Sequence, residues 1–166
     1  MTQGKPDNGA ERRVLERLVG HWDLTGKVYD KEPDAALVQI EGWWESSFMG
    51  DSPFLIAKSK GRVGTALFER VVILCYDSQK GRYTAAGAHS AFPTGLILDE
   101  GTYDEANKTL SWQEHEILAS ASGGKVLAKG EETFKDEDTI LQTVYLKRPG
   151  SETYIKWVET TFRRRK

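Results

Sequence analysis

The chain has 166 residues, 39% of them hydrophobic and 29% charged, the ordinary balance of a soluble protein rather than a disordered or membrane-spanning one. That length suits one domain able to bury on the order of 70% of its unfolded surface, and no apolar run approaches the roughly 18 residues of a spanning helix. With 23 Lys plus Arg against 25 Asp plus Glu, the net charge is -2 and nothing global attracts nucleic acid.

Met1 to Gly9 are polar and rich in Gly, Pro and Asn, a composition that cannot bury enough surface to order itself. They read as a flexible lead-in (1–9) to a single domain over 10–166. They contain no apolar stretch of the secretory-leader type, so the expected setting is cytoplasmic and reducing, with no membrane association. From Ala10 to Val19, the apolar Val14, Leu15, Leu18 and Val19 share one helical face opposite Glu11, Arg12, Arg13, Glu16 and Arg17. Asp7 or Asn8 is placed to cap this short helix, and Gly20 to end it in the left-handed conformation.

After Gly20 the apolar period changes from about 3.6 to 2, and β-branched and aromatic residues alternate between turn clusters. The clearest turns are 77–81, 104–108, 122–124, 135–138 and 148–151. Between them the spacing predicts strands near 22–29, 37–48, 53–60, 63–76, 82–90, 95–103, 108–117, 125–134, 139–147 and 153–164. About ten consecutive antiparallel strands leave two unpaired edges unless the sheet closes on itself. The fold class is therefore all-β, an up-and-down barrel with one short N-terminal helix. Regular hairpin spacing and the lack of long crossovers favour the barrel over a two-sheet sandwich.

Alternation divides each strand into two faces. Trp22 brings Leu24 and Val28 to one side. On the second strand the apolar set Val38, Ile40, Trp44 and Phe48 is expected to line the interior. The same parity groups Tyr83, Ala85, Gly87 and His89, and the small residues of 85–95 leave room for a cavity. Leu110 and Trp112 oppose Ser111, Gln113 and His115 on a later strand whose orientation the pattern leaves open. The single cysteine, Cys75, lies in an apolar run and reads as a buried small hydrophobe.

The opening Gly20-His21-Trp22 resembles the start of calycin barrels, the lipocalin-like folds, where Gly-x-Trp follows a short helix. Together with Tyr76-Asp77-Ser78-Gln79-Lys80-Gly81-Arg82-Tyr83, Glu100-Gly101-Thr102-Tyr103-Asp104 and Thr161-Phe162-Arg163-Arg164, it resembles the bacterial family called domain of unknown function 1579. Cys75 stands where that family commonly has Gly, and Phe162 where Tyr is usual. The resemblance implies a calycin-type barrel and brings no established activity. It also implies that a basic residue of the last strand packs over the opening Trp, closing the barrel with Gly20; Arg164 is the first candidate and Arg163 the second. Nitrobindin-like calycins hold haem through a late-strand His, and no His follows His115, so haem is disfavoured.

His21, His89 and His115 are scattered without metal-ligand spacing, so neither metal nor any other cofactor is expected. No hydrolase elbow, phosphate loop or dinucleotide fingerprint is present. The leading expectation is a barrel that binds a small apolar or amphipathic molecule, lined by Val38, Ile40, Trp44, Phe48, Tyr83, Ala85, Gly87 and His89. One alternative is a small acid/base enzyme of isomerase or cyclase type, with His89 and Glu100 facing the same cavity; Asp99 alternates with Glu100, so only one of the two faces inward. The other is a filled barrel acting as an interaction protein, with a homodimer contact through aromatics such as Trp43 or Trp157.

Overall fold

A computed structural model describes residues 9–29, 36–91, 95–118 and 125–166, with only the backbone described for Ala36, Leu37 and Leu118. Most of the lead-in, the Asp7 or Asn8 cap, the centre of the 91–95 turn and the 122–124 turn lie outside these residues. The described residues form α1 (Ala10–Glu16) followed by β1 (Gly20–Tyr29), β2 (Ala36–Phe48), β3 (Leu55–Val63), β4 (Ala66–Asp77), β5 (Arg82–His89), β6 (Ile97–Asp104), β7 (Thr109–Leu118), β8 (Lys125–Phe134), β9 (Thr139–Lys147) and β10 (Ile155–Arg164).

Each strand pairs antiparallel with its neighbours in sequence, and β10 pairs back onto β1 to close the barrel. Closure removes the edges a ten-strand meander would expose. The one-dimensional order also means that alternation along each strand maps directly onto inside and outside. Trp22, Leu24, Ile40, Trp44, Leu55, Ala57, Val72, Leu74, Tyr83, Leu110, Phe134, Ile140 and Phe162 are buried inside.

Three local expectations are corrected. The helix ends at Glu16 with Arg17 as its C-cap at φ −66°, so Gly20 does not terminate it. Gly20 instead opens β1 at φ +124°, where a Cβ would lie 2.7 Å from Arg164 Nη1. The hairpin between β3 and β4 turns at Gly64, φ +59°, rather than near 61–62. Gly61 stays in the strand because it faces Gly42 across the ladder: a Cβ on Gly42 would lie 2.9 Å from the Gly61 Cα. These paired glycines let the sheet bend where side chains would collide. Cys75 is half-buried on the outer wall, its Sγ 3.1 Å from Thr84 Oγ1, because Leu74 takes the inward position beside it.

The helix closes one end of the barrel. Val14, Leu15 and Leu18 are buried against the interior. The Tyr83 hydroxyl donates to the Glu11 carbonyl at 3.2 Å, and Arg12 lies over the Phe48 ring at 3.9 Å. Arg17 lies over Phe134 at 4.3 Å and donates to the Tyr103 hydroxyl at 3.1 Å. Both arginines lay their stems along apolar surface while their charged heads stay near solvent.

Candidate functional site

The interior has two unlike halves. Beside α1 it is packed solid: Leu55 and Leu110 are 0% exposed and Trp22 is 1% exposed. Toward the opposite end, Arg70, Gly87, His89, Ile97, Asp99, His115, Gly130, Glu132 and Gln142 keep the inward parity of their strands yet remain partly accessible. Phe68, Val126 and Ala128 are buried among them. The packed core therefore gives way to a lumen with polar walls.

The wall also opens around the start of β6. Among the described residues the β5–β6 ladder runs from Tyr83 paired with Gly101 to Gly87 paired with Ile97. The β6–β7 ladder begins only at Gly101 and Trp112. A cavity of about 520 Å³ lies where β5 and β6 part, lined by Arg70, Val71, Ala88, His89, Ser90 and Leu96 among others. Most of its lining faces outward, and Arg70 and His89 reach it from the inner face.

Arg70 and His89 are cross-strand partners on β4 and β5. The His89 ring stacks on Phe68 with centroids 5.4 Å apart, and its Nδ1 accepts the Ala91 backbone N–H at 3.1 Å. That bond fixes the neutral tautomer with the proton on Nε2. Burial, reinforced by the nearby Arg70 charge, pushes the imidazole down to about 4, so it is neutral at pH 7. The guanidinium of Arg70 is itself lowered by burial, against the opposing pull of Glu132 and Asp99. Its nearest aromatic face is Trp44, with the ring centroid 5.9 Å away.

Glu132 accepts from Trp112 Nε1 at 2.6 Å on one carboxylate oxygen and from Gln142 Nε2 at 2.9 Å on the other. Burial nevertheless raises its pKa, with the two hydrogen bonds and Arg70 pulling the other way. Asp99 Oδ1 lies 2.7 Å from His115 Nδ1. The close approach is not an aligned hydrogen bond, and both atoms are buried without another hydrogen-bond partner. The short contact with the Asp99 carboxylate, aided by its charge, outweighs burial and raises the His115 pKa.

The placement of His115 departs from simple alternation. Trp112 pairs with Gly130 and His115 with Ala128, so three steps along β7 match two along β8. This bulge turns both Trp112 and His115 inward. Glu100 lies outside, paired with Lys80 and, at 3.7 Å, with Arg82. The expected cavity pair of His89 and Glu100 does not form; Asp99 is the inward acid. Val38, Ile40, Trp44, Phe48, Tyr83, Ala85 and Gly87 lie on the inner face, with Trp44, Tyr83 and Ala85 buried in the packed half.

Arg70 and Glu132 were outside the sequence-based expectations because charged side chains are rarely placed in a core. Strand parity carried the missing signal: Arg70 alternates in phase with Phe68, Val72 and Leu74, and Glu132 with Ala128 and Phe134. The aromatics expected on the outside, Trp43 and Trp157, are half-buried. Most of the exposed apolar side chains are aliphatic instead, including Leu67, Val71, Ile73, Leu96 and Leu98, alongside Phe54. Among the described residues, no cluster of His, Cys, Asp and Glu is arranged to hold a metal ion.

These features define a closed ten-strand antiparallel barrel, capped by one helix and holding a polar cluster in its opposite half. The chain belongs to the family described as protein of unknown function (DUF1579), whose sequence profile matches residues 7–164. No curated protein matches it. Among solved structures it resembles an S-type phycobiliprotein lyase, CPES, from Guillardia theta, at 14% identity and a TM-score of 0.61, covering 96% of this chain and 94% of that one. It also matches a structure of EF1p2_mFAP2b bound to DFHBI, at 14% identity and a TM-score of 0.45, covering 94% and 100% of the two chains. A redesigned β-barrel, b11L5F_LGL, matches at 14% identity and a TM-score of 0.43, covering 93% and 96%. The first likeness establishes a shared fold.

Proposed function

We propose that this protein binds a small amphipathic molecule in the lumen, through the mouth at the start of β6. The observation that carries the reading is the change in packing along the interior, from side chains 0–2% exposed beside α1 to partly accessible inward residues around Arg70 and Glu132. A barrel whose task was only to hold its own shape would extend the packed core along its length. A concave site with apolar walls and a few convergent polar groups is the usual form of a small-molecule pocket.

The test uses a neutral fluorescent probe, N-phenyl-1-naphthylamine, whose emission rises in apolar surroundings. Saturable binding that quenches tryptophan emission is the expected result. Gly130 provides the lumen-filling control, because a Cβ there meets Trp112 Cδ1 at an ordinary 3.6 Å and leaves room to build inward. Gly130→Leu should weaken the probe at least tenfold while the protein remains folded by circular dichroism. Failure of the wild type to bind the probe refutes the reading, as does undiminished binding by a folded Gly130→Leu variant.

A further inference from the structure

Arg70 is the lumen's unused donor. A guanidinium presents five N–H groups in a fixed fork. Among the described residues Arg70 makes no hydrogen bond; its contacts are the distant Trp44 face and the fields of Glu132 and Asp99. Neither acid forms a direct hydrogen bond or ion pair with it among the described residues. Both Glu132 oxygens accept from Trp112 and Gln142, and Asp99 Oδ1 is held against His115. The guanidinium is partly accessible and only partly hydrated, so an acceptor entering the cavity meets donors not already committed to a protein group.

The surrounding groups select the sign of that acceptor. Arg70 is a fixed positive charge at the cavity, which favours a negatively charged ligand group over a cationic one. His89 stands beside Arg70 as a neutral ring whose proton is on Nε2, since Nδ1 is filled by the Ala91 N–H. The Arg70 fork and the His89 ring line one cavity near the point where the packed core ends. Apolar side chains continue from there toward the mouth, including Phe68, Ile97 and Ile117.

Resting on the proposed ligand-binding function, we infer that the lumen selects small molecules carrying a carboxylate, bound by the Arg70 guanidinium beside His89, with an apolar body extending toward the mouth. Carboxylates match the planar fork through two parallel N–H···O bonds, a geometry that neither an alcohol nor an amine reproduces.

The experiment compares three probes of equal chain length, decanoate, decanol and decylamine, as competitors of N-phenyl-1-naphthylamine below their aggregation limits. Wild type should be displaced by decanoate at a concentration at least tenfold lower than by decanol, and decylamine should be the weakest. Arg70→Met should lose the decanoate preference, read as the ratio of decanoate to decanol displacement, whereas Arg70→Lys should retain part of it. Equal displacement of wild type by decanoate and decanol overturns the carboxylate assignment while probe binding leaves the lumen reading standing. Undiminished preference in Arg70→Met also overturns it. Absence of probe binding by wild type overturns both. If Arg70→Met fails to fold, the wild-type comparison and Arg70→Lys decide the matter.

Discussion

Arg164 lies over Trp22, its guanidinium carbon 4.0 Å from the indole centroid, while its Nη1 and Nη2 donate to the Val19 and Arg17 carbonyls at 2.6 and 3.1 Å. The Trp22 indole N–H donates to the Leu18 carbonyl at 2.9 Å. Together they satisfy carbonyls where the chain leaves α1 and enters β1. Arg163, two-sided neighbour of this contact in sequence only, points outward. Arg164→Ala removes the ring contact and the charge-assisted hydrogen bonds, and should lower stability by about 2–4 kcal/mol. Arg164→Lys should recover part of that loss. Urea unfolding midpoints with unchanged m-values measure the difference.

The glycines of β2 and β3 should respond unlike Gly130 to the same added methyl group. A Cβ on Gly42 would sit 2.5 Å from the Lys60 carbonyl oxygen, and one on Gly61 would sit 2.8 Å from the Gly42 Cα. Backbone on both sides leaves little to yield, so Gly61→Ala should destabilise by at least about 2 kcal/mol. Gly130→Ala meets only ordinary contacts and should be neutral or stabilising by up to roughly 1 kcal/mol. Parallel thermal and urea melts of the two variants provide the comparison.

His89 gives the protein an acid sensitivity of definite sign. Its folded pKa, about 4, lies below the ordinary value of 6.5, so the unfolded chain binds the proton more tightly in that interval. The stability tied to the neutral ring is present above pH 6.5 and is lost as pH falls toward 4. Arg70, Asp99, Glu132 and His115 all carry charge into the same field, so the measurement is a difference between wild type and His89→Gln. The variant should show a shallower loss over that window. An identical slope would count against His89 as a source of it.

Glu132 carries the opposite linkage. Burial raises its folded pKa above 4.5, so the stability advantage of the protonated form is present below 4.5 and disappears as pH rises through the folded pKa. Glu132→Gln should therefore gain on wild type as pH rises through that range. Trp112→Phe leaves one Glu132 oxygen without its donor and should cost about 1–3 kcal/mol. The double variant should cost less than the sum of its parts, as a double-mutant cycle read by urea unfolding would reveal.

Strand number and order were legible because a closed meander turns period-two patterning into a direct map of inside and outside. The expected spans 125–134 and 139–147 coincide with β8 and β9, whose turn residues are unambiguous. The β3–β4 turn was misplaced because Gly61 resembles a turn glycine, while its actual role is close approach to Gly42. Around the lumen the code weakens for identifiable reasons. At the start of β6, Ile97 and Leu98 are equally apolar although only Ile97 faces inward, so hydrophobicity could not decide between Asp99 and Glu100. Arg70 was overlooked because its polarity conflicts with a position its neighbours assign to the interior.

The bulge of β7 makes that strand legible in two frames. Before it, even-numbered residues enter the barrel; after it, odd-numbered ones do. A deletion of one residue at Gln113 or Glu114 would remove the bulge yet leave His115 two steps from Trp112, still facing inward opposite Ala128 and beside Asp99. The extra residue is what lets the odd-numbered His115 share the inner face with the even-numbered Trp112, whatever the identity of the two residues between them. Related chains one residue shorter here would keep the same inward pair on a straighter strand.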